Sequence, residues 1–140
     1  MNPTPDPNAA ALFGGLAERI ARRDQPALAV PNPYAPEQVM HRLLTALAPL
    51  VPGRNQRGRT VQAQMLYRFF AHEALTARNL ADAANVERVA GGRATAGLVH
   101  AGLLQWAYEG PRRMYRLTRW GEDWLLAIGR GEMLPARPVG

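Results

Sequence analysis

Apolar residues along this chain recur first at helical spacing, then at strand spacing, then at helical spacing again. Leu12, Phe13, Leu16 and Ile20 fall close to one face and predict a helix over Ala9–Arg23. Gly14 and Gly15 weaken it by about 1 kcal/mol each relative to alanine. Pro26, Pro31, Pro33 and Pro36 then exclude helix and interior strand, so Asp24–Pro36 reads as a stiff extended connection. A second helix is expected from about Pro36, suited to a first helical position, to about Ala48. Val39, Met40, Leu43, Leu44, Leu47 and Leu50 form its apolar face, and Pro49, Pro52 and Gly53 close it.

Arg54–Arg59 carries three arginines and nothing to bury, and reads as an exposed basic linker. The pattern then becomes regular. Thr60 can cap a helix whose inner side is Val61, Met65, Leu66, Phe69 and Phe70. Thr76 can cap a shorter helix over Ala77–Ala84, ended by Asn85, which tolerates a left-handed backbone. A third helical stretch follows to about Ala101 and is broken by Gly102. It contains Gly91, Gly92 and Gly97, costing together about 2–3 kcal/mol of helix propensity. That cost leaves two starts open, one soon after the turn at Asn85 and one only near Gly92, with Glu87–Gly91 then a long turn.

Beyond Gly102 the period becomes two. Leu104, Trp106 and Tyr108 alternate with Gln105 and Ala107, which predicts a strand with one buried face. Glu109–Arg112 is a turn by composition, and Arg113–Leu117 is the return strand, with Arg116 facing away from Tyr115 and Leu117. Thr118 caps a last helix carrying Trp120, Trp124, Leu125 and Ile128. The expected organisation is a disordered tail (1–8), two accessory helices with a proline-rich linker (9–53), a folded domain (60–129) and a tail (130–140).

The chain has 140 residues and no cysteine, which excludes disulfides, cysteine-ligated zinc and thiol catalysis. The proline-rich start lacks the basic and apolar regions of a secretory signal, and no apolar run approaches the roughly 18–20 residues of a membrane span. A cytoplasmic protein with no membrane partner is expected. All 17 basic residues are arginine. Charges cancel in residues 1–50, so the net charge of +6 lies in 51–140, where 13 arginines face 7 acids. A basic half joined to a neutral half fits a polyanion-binding module with an accessory region. His41, His72 and His100 form no metal-ligand pair at helical spacing, no catalytic Ser/His/Asp or paired-carboxylate set stands out, and there is no phosphate-binding glycine loop. No cofactor, metal or enzymatic activity is expected. Trp106, Trp120 and Trp124 are read as core rather than as base-stacking platforms.

Helix, helix, tight turn, helix, two-stranded hairpin, helix is the order of a winged helix-turn-helix. Leu75–Val86 resembles the first helix and turn of bacterial transcriptional regulators of the MarR, PadR and ArsR type. Ala101-Gly102-Leu103-Leu104 resembles the segment these families place between recognition helix and wing. Tyr115-Arg116-Leu117-Thr118 with Gly121-Glu122 resembles their second wing strand and following helix. The resemblance covers about half the chain and chooses no single family. The implied fold is mainly α with a small β-hairpin wing, preceded by two accessory helices.

The implied partner is double-stranded DNA. The exposed face of the third helix would present Arg88, Gly92, Arg93 and Ala96 to the major groove, where base edges differ in their donors and acceptors. Only Arg88 and Arg93 can make directional base contacts, and a start near Gly92 favours Arg93. Arg112 and Arg113 at the wing tip suit a narrow minor groove or phosphates, and Arg78 and Thr76 are candidate phosphate contacts. The resemblance also implies a homodimer, for which the face Val39, Leu43 and Leu47, with Met40 and Leu44, is the candidate interface; the same face can instead serve as core. No residue set points to a small-molecule effector. The expectation is a dimeric, sequence-specific transcriptional regulator. Its rivals are a DNA-binding accessory protein of replication, repair or chromosome organisation, and a winged protein–protein interaction module.

Overall fold

The computed structural model describes Leu16 and residues 32–139. The expected N-terminal tail, nearly all of the Ala9–Arg23 helix and most of the proline-rich connection lie outside the described residues. Five helices and three strands follow: α1 (Pro36–Leu47), α2 (Gln56–Tyr67, continued by a 3-10 turn at Arg68–Phe70), β1 (Leu75–Thr76), α3 (Ala77–Ala83), α4 (Arg88–His100), β2 (Leu104–Glu109), β3 (Arg112–Leu117) and α5 (Arg119–Arg130). The strands form an antiparallel sheet in the order β1-β3-β2.

Three of the five helices start at a side-chain cap, on Asn55, Thr76 and Thr118. Pro36 occupies the first turn of α1, where a missing N–H costs nothing. Helix α2 starts one turn earlier than Thr60: Asn55 Oδ1 accepts from Gly58 N at 2.9 Å, and Thr60 sits inside the helix, its hydroxyl donating to the Gln56 carbonyl. Gln56–Arg59 is therefore helix, not linker; its first turn carries no apolar residue because it faces solvent. Thr76 opens α3 through a capping box, accepting from Asn79 N at 3.0 Å while its own N–H donates to Asn79 Oδ1 at 3.1 Å. Asn85 takes the left-handed conformation (φ 51°) that ends this short helix.

Helix α4 takes the earlier of the two starts left open, for it runs unbroken from Arg88 through Gly91, Gly92 and Gly97. Packing compensates the propensity cost at two of the three. A Cβ on Gly91 would lie 2.9 Å from Ala81 Cβ, so this glycine lets α3 and α4 approach closely. A Cβ on Gly97 would lie 2.7 Å from Nε2 of buried Gln62, the group that donates to the Ala94 carbonyl from α2. Gly92 faces open space. At the far end Gly102 takes φ +87°, which few other residues adopt, and the chain turns into β2.

The hairpin departs from expectation in two ways. Only Gly110 and Pro111 form the turn, and Arg112 is already in β3, paired with Glu109. Of the alternating set in β2, Leu104 is buried, but Trp106 and Tyr108 are 40% and 65% exposed. Trp106 lies on the outer strand β2, opposite buried Tyr115, and Tyr108 lies past the stretch that β1 pairs, so alternation continues where cover thins. Trp120 and Trp124, by contrast, are core at 9% and 2% exposure.

One core joins every helix from α1 to α5. Val39, Leu43 and Leu47 belong to it, at 5%, 0% and 0% exposure, with Met40 and Leu44 packed against it. The expected dimer face is thus covered by the chain's own α2 and α5 side, and it is not available to a partner. Arg42 locks α1 to the end of α5, donating from Nε to the Ile128 carbonyl at 2.8 Å and from a terminal nitrogen to Gly129 O at 3.3 Å. Both carbonyls lie in the last turn, where the regular i+4 donors run out (Ile128 O also accepts from Gly131 N at 3.2 Å), and a cation suits them. Thr118 caps α5, accepting from Gly121 N at 2.9 Å and donating to the Gly102 carbonyl at 2.6 Å. The segment after Gly131 is not a free tail: Trp120 Nε1 donates to the Pro135 carbonyl at 3.2 Å, and Arg137 donates to the His100 carbonyl at 3.3 Å. Among the described residues, no helix is long and apolar enough to cross a membrane.

Candidate functional site

Helices α3 and α4 and the hairpin enclose an open groove of about 1110 Å³. Each wall follows from local sequence. The capping box at Thr76 sets the first turn of α3, from which Arg78 projects; Asp82, one turn on, is the groove's single acid. Arg88, Gly92 and Ala96 recur every four residues and line it from α4, together with Val99 and His100. Trp106, Arg112, Arg113 and Tyr115 line it from the hairpin. Four arginines from three elements thus face one concavity with one carboxylate.

Five of the six residues singled out from sequence meet here: Thr76, Arg78, Arg88, Arg112 and Arg113. Arg93 does not. It is exposed on α4, roughly 140° around a helix of 3.6 residues per turn from Arg88, just past His100 at the opposite edge of the groove-lining face. The early start of α4 reverses the order of the two candidates, since it keeps Arg88 on the groove side. Thr76 is held by its cap, so its hydroxyl oxygen is already engaged with Asn79 N.

Arg113 is the most constrained of the set. Its Cζ lies 3.8 Å from the centroid of the Trp106 ring and 6.0 Å from that of Tyr108, and the two rings meet edge to face at 5.4 Å. A terminal nitrogen approaches the Tyr115 hydroxyl at 3.4 Å. Hydrogen bonding to Tyr115, and next to Tyr108, raises its pKa above the usual arginine value, so it stays cationic at any ordinary pH. Sequence reading missed this stack. The signal was present in the two-residue turn, which sets Arg113 opposite Tyr108 and diagonal to Trp106.

Arg116, on the other face of the hairpin, is engaged elsewhere, pairing with Glu109 at 2.9 Å and Glu73 at 3.4 Å. It borders a smaller hollow of about 430 Å³ with Phe69, Phe70, His72 and Glu122. Among the described residues, no group of three or more His, Asp or Glu side chains is placed to hold a metal ion. No protein-family profile matches the chain, and no curated protein matches it.

Proposed function

We propose that the chain is a winged helix-turn-helix protein that binds double-stranded DNA as a transcriptional regulator. In this reading α3 and α4 are the helix-turn-helix, α4 is the recognition helix and the β2–β3 hairpin is the wing. One observation carries it: Arg78, Arg88, Arg112 and Arg113 converge on a single groove beside the exposed face of α4. A helix fits the major groove, while cations on the preceding helix and on a projecting hairpin suit the flanking phosphates and minor groove. Arg88 is the base-reading residue, because its guanidinium can address guanine O6 and N7 together. The role of Arg93 is a phosphate contact on the far flank.

Titration of labelled duplexes over a range of salt tests the reading. Four phosphate contacts give a slope of log K against log salt of about −3 to −4, and loss of Arg112 makes it shallower by about one. Arg88→Ala weakens the preferred site by about 1–3 kcal/mol and relaxes its sequence. Absence of salt-sensitive duplex binding would overturn the proposal.

A specific feature favours a second reading, the accessory protein with little base readout. Gly92 and Ala96 leave the middle of the exposed α4 face without hydrogen-bond donors, between Arg88 and Arg93. Selection from random duplex separates the two, since a regulator prefers one site over others by about 10³-fold or more. One recognition helix covers few base pairs, so the regulator reading requires a homodimer. With Val39, Leu43 and Leu47 in the core, that dimer uses another surface. Sedimentation equilibrium on the full chain reads its presence.

A further inference from the structure

The outer half of the hairpin presents aromatic surface where alternation alone would place buried residues. Leu104, Trp106 and Tyr108 share one face with Leu117, Tyr115 and Arg113 opposite them, yet Trp106 and Tyr108 remain substantially exposed. Large exposed aromatic side chains placed side by side are a feature that folding does not call for. The Arg113 guanidinium lies over the Trp106 ring, and Arg113 is itself exposed. The result is a layered stack, indole then guanidinium, with the Tyr108 ring set edge-on beside it. Trp106 and Arg113 also line the groove that holds Arg78, Arg88 and Arg112.

We propose that this stack is a platform for an unpaired base, so that the protein favours duplex joined to a single-stranded segment over blunt duplex. The inference rests on the nucleic-acid reading of the groove and adds to it the kind of end that the groove receives. A ligand that matches both features must offer negative charge to four arginines and a bare planar ring to the stack. Within a duplex both faces of every interior base are covered by neighbours, and at a blunt end only one face of a paired base is open. A base in a single strand has its faces free, and aromatic side chains and guanidinium planes are the surfaces on which proteins stack such bases. Arg113 serves in both parts: it stacks as a plane and attracts phosphate as a cation. Its hydrogen bonding to Tyr115 holds the plane in place before any ligand arrives, which lowers the ordering cost of binding.

The test uses the full chain and three labelled probes in anisotropy titrations: a blunt 20-base-pair duplex, the same duplex with a ten-thymidine extension, and the ten-thymidine strand alone. The expected result is binding of the extended duplex about ten-fold tighter than the blunt one, the gain expected from a stacked base. Trp106→Leu lowers affinity for the extended probe more than for the blunt probe and brings their ratio close to one, whereas Trp106→Phe keeps most of the ratio. Circular dichroism confirms that both variants are folded, which their exposed position favours. Tryptophan emission is quenched by the extended probe in the wild-type protein and not in Trp106→Phe, since Trp120 and Trp124 are buried. Equal affinity of the wild-type protein for blunt and extended duplex overturns this inference and leaves the duplex reading standing. Equal losses on both probes in Trp106→Leu also overturn it, by assigning the stack to hairpin support alone. Binding to the thymidine strand with none to blunt duplex overturns the duplex reading and keeps the platform. Failure to bind any probe overturns both.

Discussion

Gly91 and Gly92 are neighbours in α4 with opposite surroundings, so alanine at each should give opposite results. Within a helix, glycine to alanine gains about 1 kcal/mol in propensity wherever the methyl fits. At Gly92 nothing lies within 4 Å of the new Cβ, and the whole gain is realised. Unfolding entropy for the unit Pro33–Gly140 is about 0.23 kcal/mol per kelvin at ordinary per-residue values, so the midpoint should rise by about 4 °C. At Gly91 the Cβ would meet Ala81 Cβ at 2.9 Å, with the Ala81 Cα at 3.4 Å. Neither neighbour is the end of a flexible side chain, so α3 must move away from α4. Overpacking of this kind costs about 1–3 kcal/mol, which cancels or outweighs the propensity gain. The net effect should lie between zero and a loss of about 2 kcal/mol, or up to about 9 °C. Thermal unfolding followed by far-ultraviolet circular dichroism reads both variants side by side. A Gly91→Ala protein as stable as Gly92→Ala would refute the argument that this glycine exists for close helix packing.

Other substitutions follow from the same contacts. Leu43→Ala, at a site with no exposure, should cost about 2–5 kcal/mol in urea denaturation, and Leu43→Glu should yield unfolded protein, not a folded dissociated chain. Arg42→Met removes the donors to Ile128 and Gly129 at the end of α5 and should cost about 1–2 kcal/mol by the same assay; an unchanged midpoint would show that the α1–α5 lock contributes little. Thr118→Ala should cost about 1–2 kcal/mol through loss of the α5 cap, while Thr45→Ala, whose hydroxyl merely bonds back to the His41 carbonyl on an exposed face, should stay within about 0.5 kcal/mol.

Periodicity and capping residues were enough to locate most elements. Thr76 and Thr118 cap the helices assigned to them, Asn85 and Gly102 turn the chain with positive φ, and the Pro36 helix and the hairpin lie within a residue or two of their expected bounds. Errors arose where tertiary packing decided the outcome. The glycines of α4 are unfavourable by propensity, but Gly91 and Gly97 admit Ala81 and Gln62, contacts invisible in a linear reading. The apolar face of α1 was compatible with core or interface, and only its burial against α2 and α5 decides between them. The two residues of β1 are too few to leave a pattern, so a two-stranded hairpin was expected in place of a three-stranded sheet. At the groove, residue types were legible and their relative placement was not. The order of Arg88 and Arg93 turns on the first residue of α4, and Trp106 reads as core until β2 is known to be the outer strand of the sheet.

The short strand β1 has a mechanical consequence. It pairs Leu75 with Tyr115 and Thr76 with Met114, and Thr76 is also the residue that caps α3. At those two positions β3 is clamped from both sides, whereas Arg112 and Arg113 are tied only to β2. The hairpin is therefore a cantilever, anchored at Met114 and free for two further residues and the turn, an overhang of about 7 Å at 3.4 Å per residue. Bending at the root would pull on the start of α3 and is resisted there. The tip can tilt by itself, carrying Arg112 and the Gly110 turn with it, while the Arg113 side chain stays tied back to Trp106 and Tyr115 at the anchored root and Arg78 and Arg88 stay in place. Amide exchange should mark the anchor, slow at Met114 and Tyr115 and faster at Arg112 and Arg113.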